Sequence, residues 1–532
     1  MTTIYRASTV HTLSPGVDGD AVAVVDGRVT AVGGWRRIRG EYPTAQVVDL
    51  GDATMVPGLI DSHIHPLGGI EMTRGVDLSA CETPDDIARE LARHWSDTPD
   101  DGWLLGWGLD VNAFHRAPSA EILDRVAPGV LAAITLADVH SVVASTAALR
   151  LAGVTGSEQF GDASAVVVDA AGNPTGHLLE GARTRVLGLV PPMSHASRVT
   201  SLRETLVSMA ATGFTAGHAL DMGAEDAELL LEDVSALGGL PLELTISPMI
   251  GPAASLDDAI THVIDLQSRR GERWAVSGVK LMIDGTVDGG TAWLYTPDTL
   301  GESTQSLWLD PRQYAHAVGR LHKAGVRTRT HAIGDKGVHF VAETLAALPS
   351  NGIRHRIEHL ETITDQVIDL LASSGTAVSM QPTHCTRFVR ADQTDNWSVR
   401  LGPERAARGW RTRDVRDRGL TLALGSDWPV APADAREILT AAQTRRHPGG
   451  SGAPVGPEQA LTALEALEGL TTHAAASIGA PARAIRPGAA ATFTVFDRDP
   501  LNTAPEEFTE AAIVLTTIEG KPVVGAADLV RS

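Results

Sequence analysis

Four segments of this chain, far apart in sequence, each end an apolar, strand-like run with a side chain that can bind a divalent metal. These side chains are His63 with His65, then His331, His359 and Asp427. Alternate residues of a strand face the same way, so His63 and His65 can point into one cavity. Imidazole nitrogen and carboxylate oxygen are both ligands of zinc. The pattern therefore predicts a metal site.

Lys280 lies within a further apolar run, Gly278–Ile283, between the first and second of these segments. A protonated lysine cannot bind a cation, and its ordinary pKa is about 10.4. Burial beside metal ions would lower that pKa, because the charged form loses hydration and is repelled. The neutral amine could then add carbon dioxide, and the carbamate could bridge two ions about 3.5–4 Å apart. The alternative is an ordinary ion pair of Lys280 with Asp284 or Asp288.

The placement of the donors matters more than their number, because the chain has 19 histidines and a single His-X-His pair is a weak signal. The four histidines and Asp427 lie at the ends of strand candidates, and active sites of barrel enzymes are built at the carboxyl ends of strands. The donors are therefore expected to meet at one end of such a barrel.

The elements that must position these donors alternate between strands and helices along the middle of the chain. Most predicted helices end at a glycine, and a short strand follows each one. With the strand before His63 this gives eight βα units, the number in an α/β fold of the (β/α)8 TIM type. We predict a barrel over residues 58–480 that carries an insertion, residues 74–192, after its first strand. Turn-rich strands at both termini predict one composite β-sandwich domain from residues 1–57 and 481–532.

Composition limits the possible partners and compartments. The chain has 532 residues, is 43% hydrophobic, and carries a formal net charge of −21 without a basic cluster. This argues against a nucleic-acid partner. No apolar run approaches the ~20 residues of a membrane span. With only two cysteines and no signal peptide in Met1–Val10, a cytoplasmic location is expected. We expect a small-molecule substrate, and a homodimer is an assembly that the sequence permits.

Motifs spread over nearly the whole chain share one known pattern. They are Val56–His65, Trp103–Gly108, Lys280 followed by Asp284 and Gly285, Thr330–Asp335, Arg356–His359, Gln381–His384 and Gly425–Val430. Together they resemble the amidohydrolase superfamily and, within it, the YtcJ-like branch that includes N-substituted formamide deformylases. The resemblance implies a metal-dependent barrel with a composite β-sandwich, and hydrolysis of C–N bonds in amides or related groups.

The resemblance also implies a cofactor and a set of ligands. Two divalent metal ions are expected, with zinc as the metal, although manganese and iron accept the same ligands. N6-carboxylated Lys280 would bridge the two ions. The other ligands would be His63, His65 and Asp427 for one ion, and His331 and His359 for the second.

A mechanism and substrate contacts follow as hypotheses. Metal-bound hydroxide would attack a carbonyl carbon, with Asp427 taking the water proton and passing it to the departing nitrogen. The candidates for substrate contact are His140, His218, Asp221 and Trp428. Each could instead have a structural role. These roles are a histidine that caps a helix, a hydrogen bond within a loop, and a tryptophan that packs in the core. Relatives usually carry Asp-Gly-His where this chain has Asp138-Val139-His140.

Two other functions remain open at this point. One is a deaminase-type amidohydrolase with a single metal, whose catalytic glutamate usually follows the fifth-strand histidine; here Asp335 follows His331. The other is a catalytically inactive barrel that binds a ligand. About two metal ions per chain would favour the bridged site over the deaminase.

Overall fold

The computed structural model describes residues 2–95, 102–223, 226–253, 255–447, 449–450 and 452–525. Residues 96–101 of the predicted insertion and residues 526–532 of the predicted terminal domain lie outside the described residues. In the part that is described, no helix is long and apolar enough to cross a membrane.

Eight parallel strands of the described residues frame the site, and five of them carry or precede the predicted metal ligands. They are β1 (Leu59–Ile64), β2 (Phe214–Ala219), β3 (Glu243–Ile246), β4 (Val279–Met282), β5 (Thr328–Ala332), β6 (Arg356–His359), β7 (Ala377–Met380) and β8 (Leu422–Leu424). Strands β1 to β3 pair in one sheet, which also holds the short strands Arg270–Gly271 and Trp274–Val276, and β4 to β8 pair in another. Single parallel bridges join the two sheets at both edges, from Met249 to Lys280 and from Ile64 to Trp428.

Helices connect these strands and cover their outer faces. The longer ones are His195–Ala211, Ala227–Ala236, Leu256–Asp265, Pro311–Lys323, Asp335–Ala346, Asp365–Ser374 and Ala435–Thr444. Shorter helices include Pro66–Met72, Pro382–Phe388, Asn396–Leu401, Thr412–Asp417, Ala463–Gly469 and Thr472–Ser477. Strands and helices share one large hydrophobic core, and β1, β5, β6 and β7 are buried along their whole length. Such burial on both faces is typical of parallel sheets.

Strands from both ends of the chain pair with each other. Thr54–Pro57 runs antiparallel to Phe493–Phe496, in a five-stranded sheet that also contains Thr9–Val10, Ile513–Ile518 and Lys521–Val524. A four-stranded sheet contains Thr2–Arg6, Ala21–Val25, Arg28–Gly33 and Gln46–Asp49. Tyr5 of the second sheet and Phe493 of the first lie in one hydrophobic cluster, so the two sheets pack together.

The segment between β1 and β2 forms a separate six-stranded sheet. Its strands are Val76–Asp77, Trp103–Leu109, Leu131–Leu136, Ser141–Ala144, Ala165–Val168 and Pro174–Leu179. The helices Pro84–Trp95 and Glu121–Val126 lie against it, with Ile87 and Leu123 in a hydrophobic cluster of its own. This segment carries His140 and Glu180 towards the carboxyl ends of β4 and β5, as the contacts of these two residues show.

Candidate metal centre

The structure brings the six predicted metal ligands together at the carboxyl ends of the strands. Five of them lie in or directly after β1, β4, β5 and β6, and the sixth follows β8: His63, His65, Lys280, His331, His359 and Asp427. All are buried except His65, which is partly buried. The backbones of His359 and Asp427 have positive φ angles of 76° and 60°. Non-glycine residues adopt this region infrequently.

Three of these side chains form a nearly equilateral triangle of donor atoms. His63 Nε2 lies 3.2 Å from His65 Nε2 and 3.2 Å from Asp427 Oδ1, and His65 Nε2 lies 3.1 Å from Asp427 Oδ1. Ligands at ~2.0 Å from a tetrahedral zinc ion are about 3.3 Å apart. The triangle therefore has the spacing of three ligands of one ion.

Lys280 lies on the same side of His63 as this triangle. Its Nζ is 3.2 Å from His63 Nε2, and within the described chain it makes no ion pair, so the alternative pairing with Asp284 or Asp288 is wrong. Burial lowers the pKa of Lys280 to about 8, although Glu358 and Asp427 act in the opposite direction. A neutral amine is therefore accessible near neutral pH, as carbamate formation requires.

Glu358 lies against the His63 ring from the side away from the triangle. Its Oε2 is 3.2 Å from His63 Nδ1 but has no hydrogen-bond partner in the described residues, and its Oε1 accepts a hydrogen bond of 2.6 Å from Arg356 Nε. A negative charge beside Nδ1 favours the proton on that nitrogen and leaves Nε2 for a metal, which is a common arrangement behind metal-binding histidines. The Arg356 guanidinium also donates to the carbonyl oxygen of Ser62, which precedes His63.

A second group of donors meets on the other carboxylate oxygen of Asp427. His359 Nδ1 is 3.9 Å from Asp427 Oδ2, and His384 Nε2 is 3.8 Å from it. Both nitrogens are buried and have no hydrogen-bond partner in the described residues. Buried polar atoms are normally paired. Orphaned nitrogens that face a carboxylate fit a bound cation, so the residues present suit the expected metals.

His331 completes the cluster from β5. Its Nε2 is 3.1 Å from the carbonyl oxygen of Gly285, and its ring centre is 4.4 Å from that of His359. Donation from Nε2 to the carbonyl leaves Nδ1 as the metal-binding atom. Burial lowers the pKa of His63, His331 and His359 well below the ordinary value, so these rings are neutral, the form that binds metals.

His140 and Asp221, two of the predicted substrate contacts, lie beside the donors. His140 Nδ1 is 2.9 Å from Glu180 Oε2, and its ring centre is 5.0 Å from that of His331. Asp221 Oδ2 accepts from the backbone N–H of Gly68 at 2.8 Å and lies 3.8 Å from His65 Nδ1. Both residues line the larger cavity at the cluster.

His218 and Trp428 have structural contacts instead. His218 Nδ1 accepts from Arg356 Nη1 at 3.0 Å, and His218 lines a different cavity together with Ile60 and Thr245. The Trp428 ring packs on Gly69 so closely that a Cβ there would collide with it. The Trp428 carbonyl accepts from the N–H of His65 at 2.9 Å. These positions favour support of the site over contact with substrate.

Val139 occupies the position at which the family resemblance predicts a glycine. Its φ is 52°, in the left-handed region that a β-branched residue rarely adopts. The turn is held by the N–H of Val139, which donates to Leu136, and by Asp138, which accepts from the N–H of His140 at 3.0 Å. Val139 therefore sits in a hydrogen-bonded turn, and its strained backbone lies directly before His140.

Sequence reasoning missed His384, Glu358 and Glu180 as parts of the site. His384 follows β7 as the other donors follow their strands, and this placement was the available signal. Glu358 directly precedes His359 in β6, but its contact with His63 depends on strands distant in sequence. Glu180 has a positive φ of 52° and bonds His140, which no local pattern indicates.

Two cavities meet at the donors. The larger has about 2390 Å³ of empty space, including its opening to solvent, and reaches His65, Lys280 and Asp427. The smaller has about 750 Å³ and reaches His331, His359, His384 and Asp427. A substrate at the cluster could therefore extend in two directions.

Comparison with known proteins places this chain in a family. The amidohydrolase family matches residues 46–524. The chain belongs to the amidohydrolase family. It is 27% identical to YtcJ of Bacillus subtilis (strain 168), which is named as an amidohydrolase, over 98% of this chain and 99% of that protein. It is 26% identical to N-substituted formamide deformylase of Arthrobacter pascens, over 94% of each chain.

A solved structure shares the fold of this amidohydrolase. A metal-dependent hydrolase from Pyrococcus horikoshii OT3 superposes with a TM-score of 0.72 at 22% identity, over 95% of this chain and 99% of that one. The predicted resemblance to the YtcJ-like branch is confirmed. Family membership supports a hydrolase.

Proposed function

We propose that this amidohydrolase is a metal-dependent hydrolase that cleaves the C–N bond of N-substituted amides, a bond other than a peptide bond. The triangle of His63 Nε2, His65 Nε2 and Asp427 Oδ1 carries this proposal, because its spacing is that of ligands on one ion. The name of the Arthrobacter pascens relative makes formamides the first class to test.

The proposed architecture is a closed (β/α)8 barrel over residues 58–480. The bridges at both edges of the two parallel sheets support closure. Residues 74–192 are an insertion that brings His140 to the site, and residues 1–57 with 481–532 form a composite β-sandwich.

We propose two divalent ions, zinc by preference, as the cofactors. His63, His65 and Asp427 would hold one, and His331 with His359 the other, with N6-carboxylated Lys280 between them. His384 is a further donor on the side of the second ion. When bound, such ions polarise a carbonyl group and supply hydroxide at neutral pH, since they lower the pKa of water to about 7.

The protein's own groups would handle the proton and hold the substrate. Asp427 lies between both donor groups and can take a proton from the attacking water and return it to the departing nitrogen. His140, held by Glu180, lies where it can donate a hydrogen bond to the substrate. Asp221 can accept one from the amide N–H.

The test is hydrolysis of a panel of N-substituted formamides, acetamides and lactones by zinc-loaded protein at neutral pH. We expect amine release from at least one formamide or amide, and loss of this activity after treatment with a chelator. Protein that binds two equivalents of zinc but hydrolyses no amide would contradict the proposal.

A further inference from the structure

We propose that the smaller cavity binds a positively charged end of the substrate, such as a protonated primary amine. This rests on the proposed function, because it names the class of amide that the same site would cleave. The substrate would be an amide whose amine or acyl part ends in an ammonium group.

The walls of the smaller cavity carry an excess of acidic groups. Together with Asp427, its acidic lining residues are Asp110, Asp138, Asp288 and Glu361, and no lysine or arginine of the described chain lines it. Two bound metal ions would compensate the negative charge of Asp427. The other four carboxyl groups lie on separate elements and are not among the proposed metal ligands. The cavity therefore favours a cation.

Three of these carboxyl groups use only one oxygen. Asp110 Oδ1 accepts from Asn112 at 2.8 Å, Asp288 Oδ1 from Asn396 Nδ2 at 2.8 Å, and Glu361 Oε2 from Trp397 Nε1 at 2.7 Å. The second oxygen of each has no hydrogen bond within the described residues, and none of the three makes an ion pair there.

Glu361 gives the sharpest indication of a missing partner. Its side chain lines the cavity at only 7% exposure, with Oε1 unpartnered. Buried carboxylates are rare unless they are paired with a cation. Burial raises the pKa of Asp288, on the same wall, to about 7, so its carboxylate is unfavourable until a cation pairs with it.

Aromatic rings complete the wall. Phe388, Trp397 and Trp410 line the cavity, and the rings of the two tryptophans are 4.3 Å apart at an interplanar angle of 34°. Aromatic faces attract ammonium groups. Carboxylates combined with aromatic rings match an alkylammonium ion, whose chain is apolar and whose end is charged.

A third metal ion does not account for these carboxylates. The close donor groups found in the described residues are His63 with His65 and Asp427, and His359 with His384 and Asp427. Asp110, Asp288 and Glu361 belong to neither group. An occupant that reaches all three and also the donors must be larger than an ion, as one end of a substrate is.

The experiment compares two series of substrates on the zinc-loaded enzyme. One series is N-formyl and N-acetyl derivatives of α,ω-diaminoalkanes with three to six carbons, and the other is the uncharged N-alkyl amides of the same length. We expect kcat/KM to be about 10- to 100-fold higher for the best cationic substrate, the range of a hydrogen bond to a charged group. Glu361→Gln and Asp288→Asn should each reduce this ratio, because they raise KM for the cationic series more than for the uncharged series.

A matched carboxyl-to-amide control is Asp499→Asn. Asp499 lies beside His11 in the turn after the strand Phe493–Phe496, far from the cavity residues, so this change should leave both series unchanged. A second experiment measures binding by calorimetry and does not require turnover. Hexylammonium should bind the wild type more tightly than 1-hexanol, and Glu361→Gln should remove this difference.

The outcomes separate the two proposals. Hydrolysis without preference for the cationic series, or a preference that both variants keep, overturns this inference and leaves the proposed function intact. Selective hexylammonium binding without hydrolysis of any amide supports the inference and contradicts the proposed function. Equal binding of hexylammonium and hexanol overturns the inference whatever the turnover.

Discussion

The two sides of Asp427 differ in how firmly the backbone positions their donors. On one side, the distances from Oδ1 to the nitrogens of His63 and His65 are 3.2 and 3.1 Å. On the other, the distances from Oδ2 to His359 and His384 are 3.9 and 3.8 Å. The first group is thus spaced for an ion, and the second is wider.

Backbone pairing explains the difference. The N–H of Asp427 donates to the carbonyl of His63 at 2.7 Å, and the N–H of His65 donates to Trp428 at 2.9 Å, so the chain segments after β1 and β8 are held together. His359 ends β6, whereas His384 lies in the helix after β7. We infer that the first ion binds to a preformed site and binds more tightly than the second.

Asp427→Asn should have the largest effect, because this residue belongs to both groups and is the proposed base. We expect kcat to fall by about 10²- to 10⁴-fold. His63 and His65 remain, so the tighter ion should stay bound. The measurements are kcat and zinc per chain, with Asp499→Asn as the silent control. Turnover close to that of the wild type would remove Asp427 from the base role.

Removing one donor from each side of Asp427 tests directly whether the two ions bind with different affinities. His65→Ala should weaken binding of the tighter zinc ion by more than about 100-fold, beyond the 10- to 100-fold range of outer contacts. His384→Ala should weaken only the second ion. Zinc affinities measured by competition with a chelator would decide. Equal losses in the two variants would show that the sides do not differ.

Glu358→Gln should have an intermediate effect. The amide lacks the negative charge that the carboxylate places 3.2 Å from His63 Nδ1, so zinc affinity should fall by about 10- to 100-fold. Glu361→Gln is the matched control, since it removes a buried carboxylate near the same strand but should leave zinc affinity unchanged. If both variants bind zinc like the wild type, Glu358 does not position His63.

The smallest effect is a pH dependence of stability in the metal-free protein. Lys280 releases its proton at about pH 8 when folded and at about 10.4 when unfolded. Between these values the unfolded state binds more protons, so the unfolding free energy contributed by Lys280 rises with pH. Denaturant unfolding at pH 7.5 and 10 should show this rise in the wild type and in Lys323→Met, an exposed control. Lys280→Met should lack it; an equal rise in all three would refute the assignment.

Much of the donor set could be predicted because it depends on strand ends. Hydrophobic runs that finish in histidine or aspartate place these residues at one edge of parallel strands, whatever the details of packing. His384 was not predicted as a donor because it lies in the helix that follows β7, beyond the end of the hydrophobic run. The contact of Glu358 with His63 was not predicted because the two residues are 295 positions apart, and a single sequence does not show such a pairing.

The predicted substrate contacts were harder, since sequence proximity to a donor does not determine which way a side chain points. Trp428 adjoins Asp427, yet its ring packs on Gly69. His218 lies in β2, but its imidazole bonds Arg356. His140 was placed next to the site because the sheet inserted between β1 and β2 carries it there.

The most direct test of the metal centre is a crystal structure of the zinc-loaded protein with anomalous diffraction at the zinc edge. We expect one strong peak within bonding distance, ~2.0–2.2 Å, of His63 Nε2, His65 Nε2 and Asp427, and a weaker peak beside His359. Zinc bound elsewhere, with none at the His63, His65 and Asp427 triangle, would contradict the account.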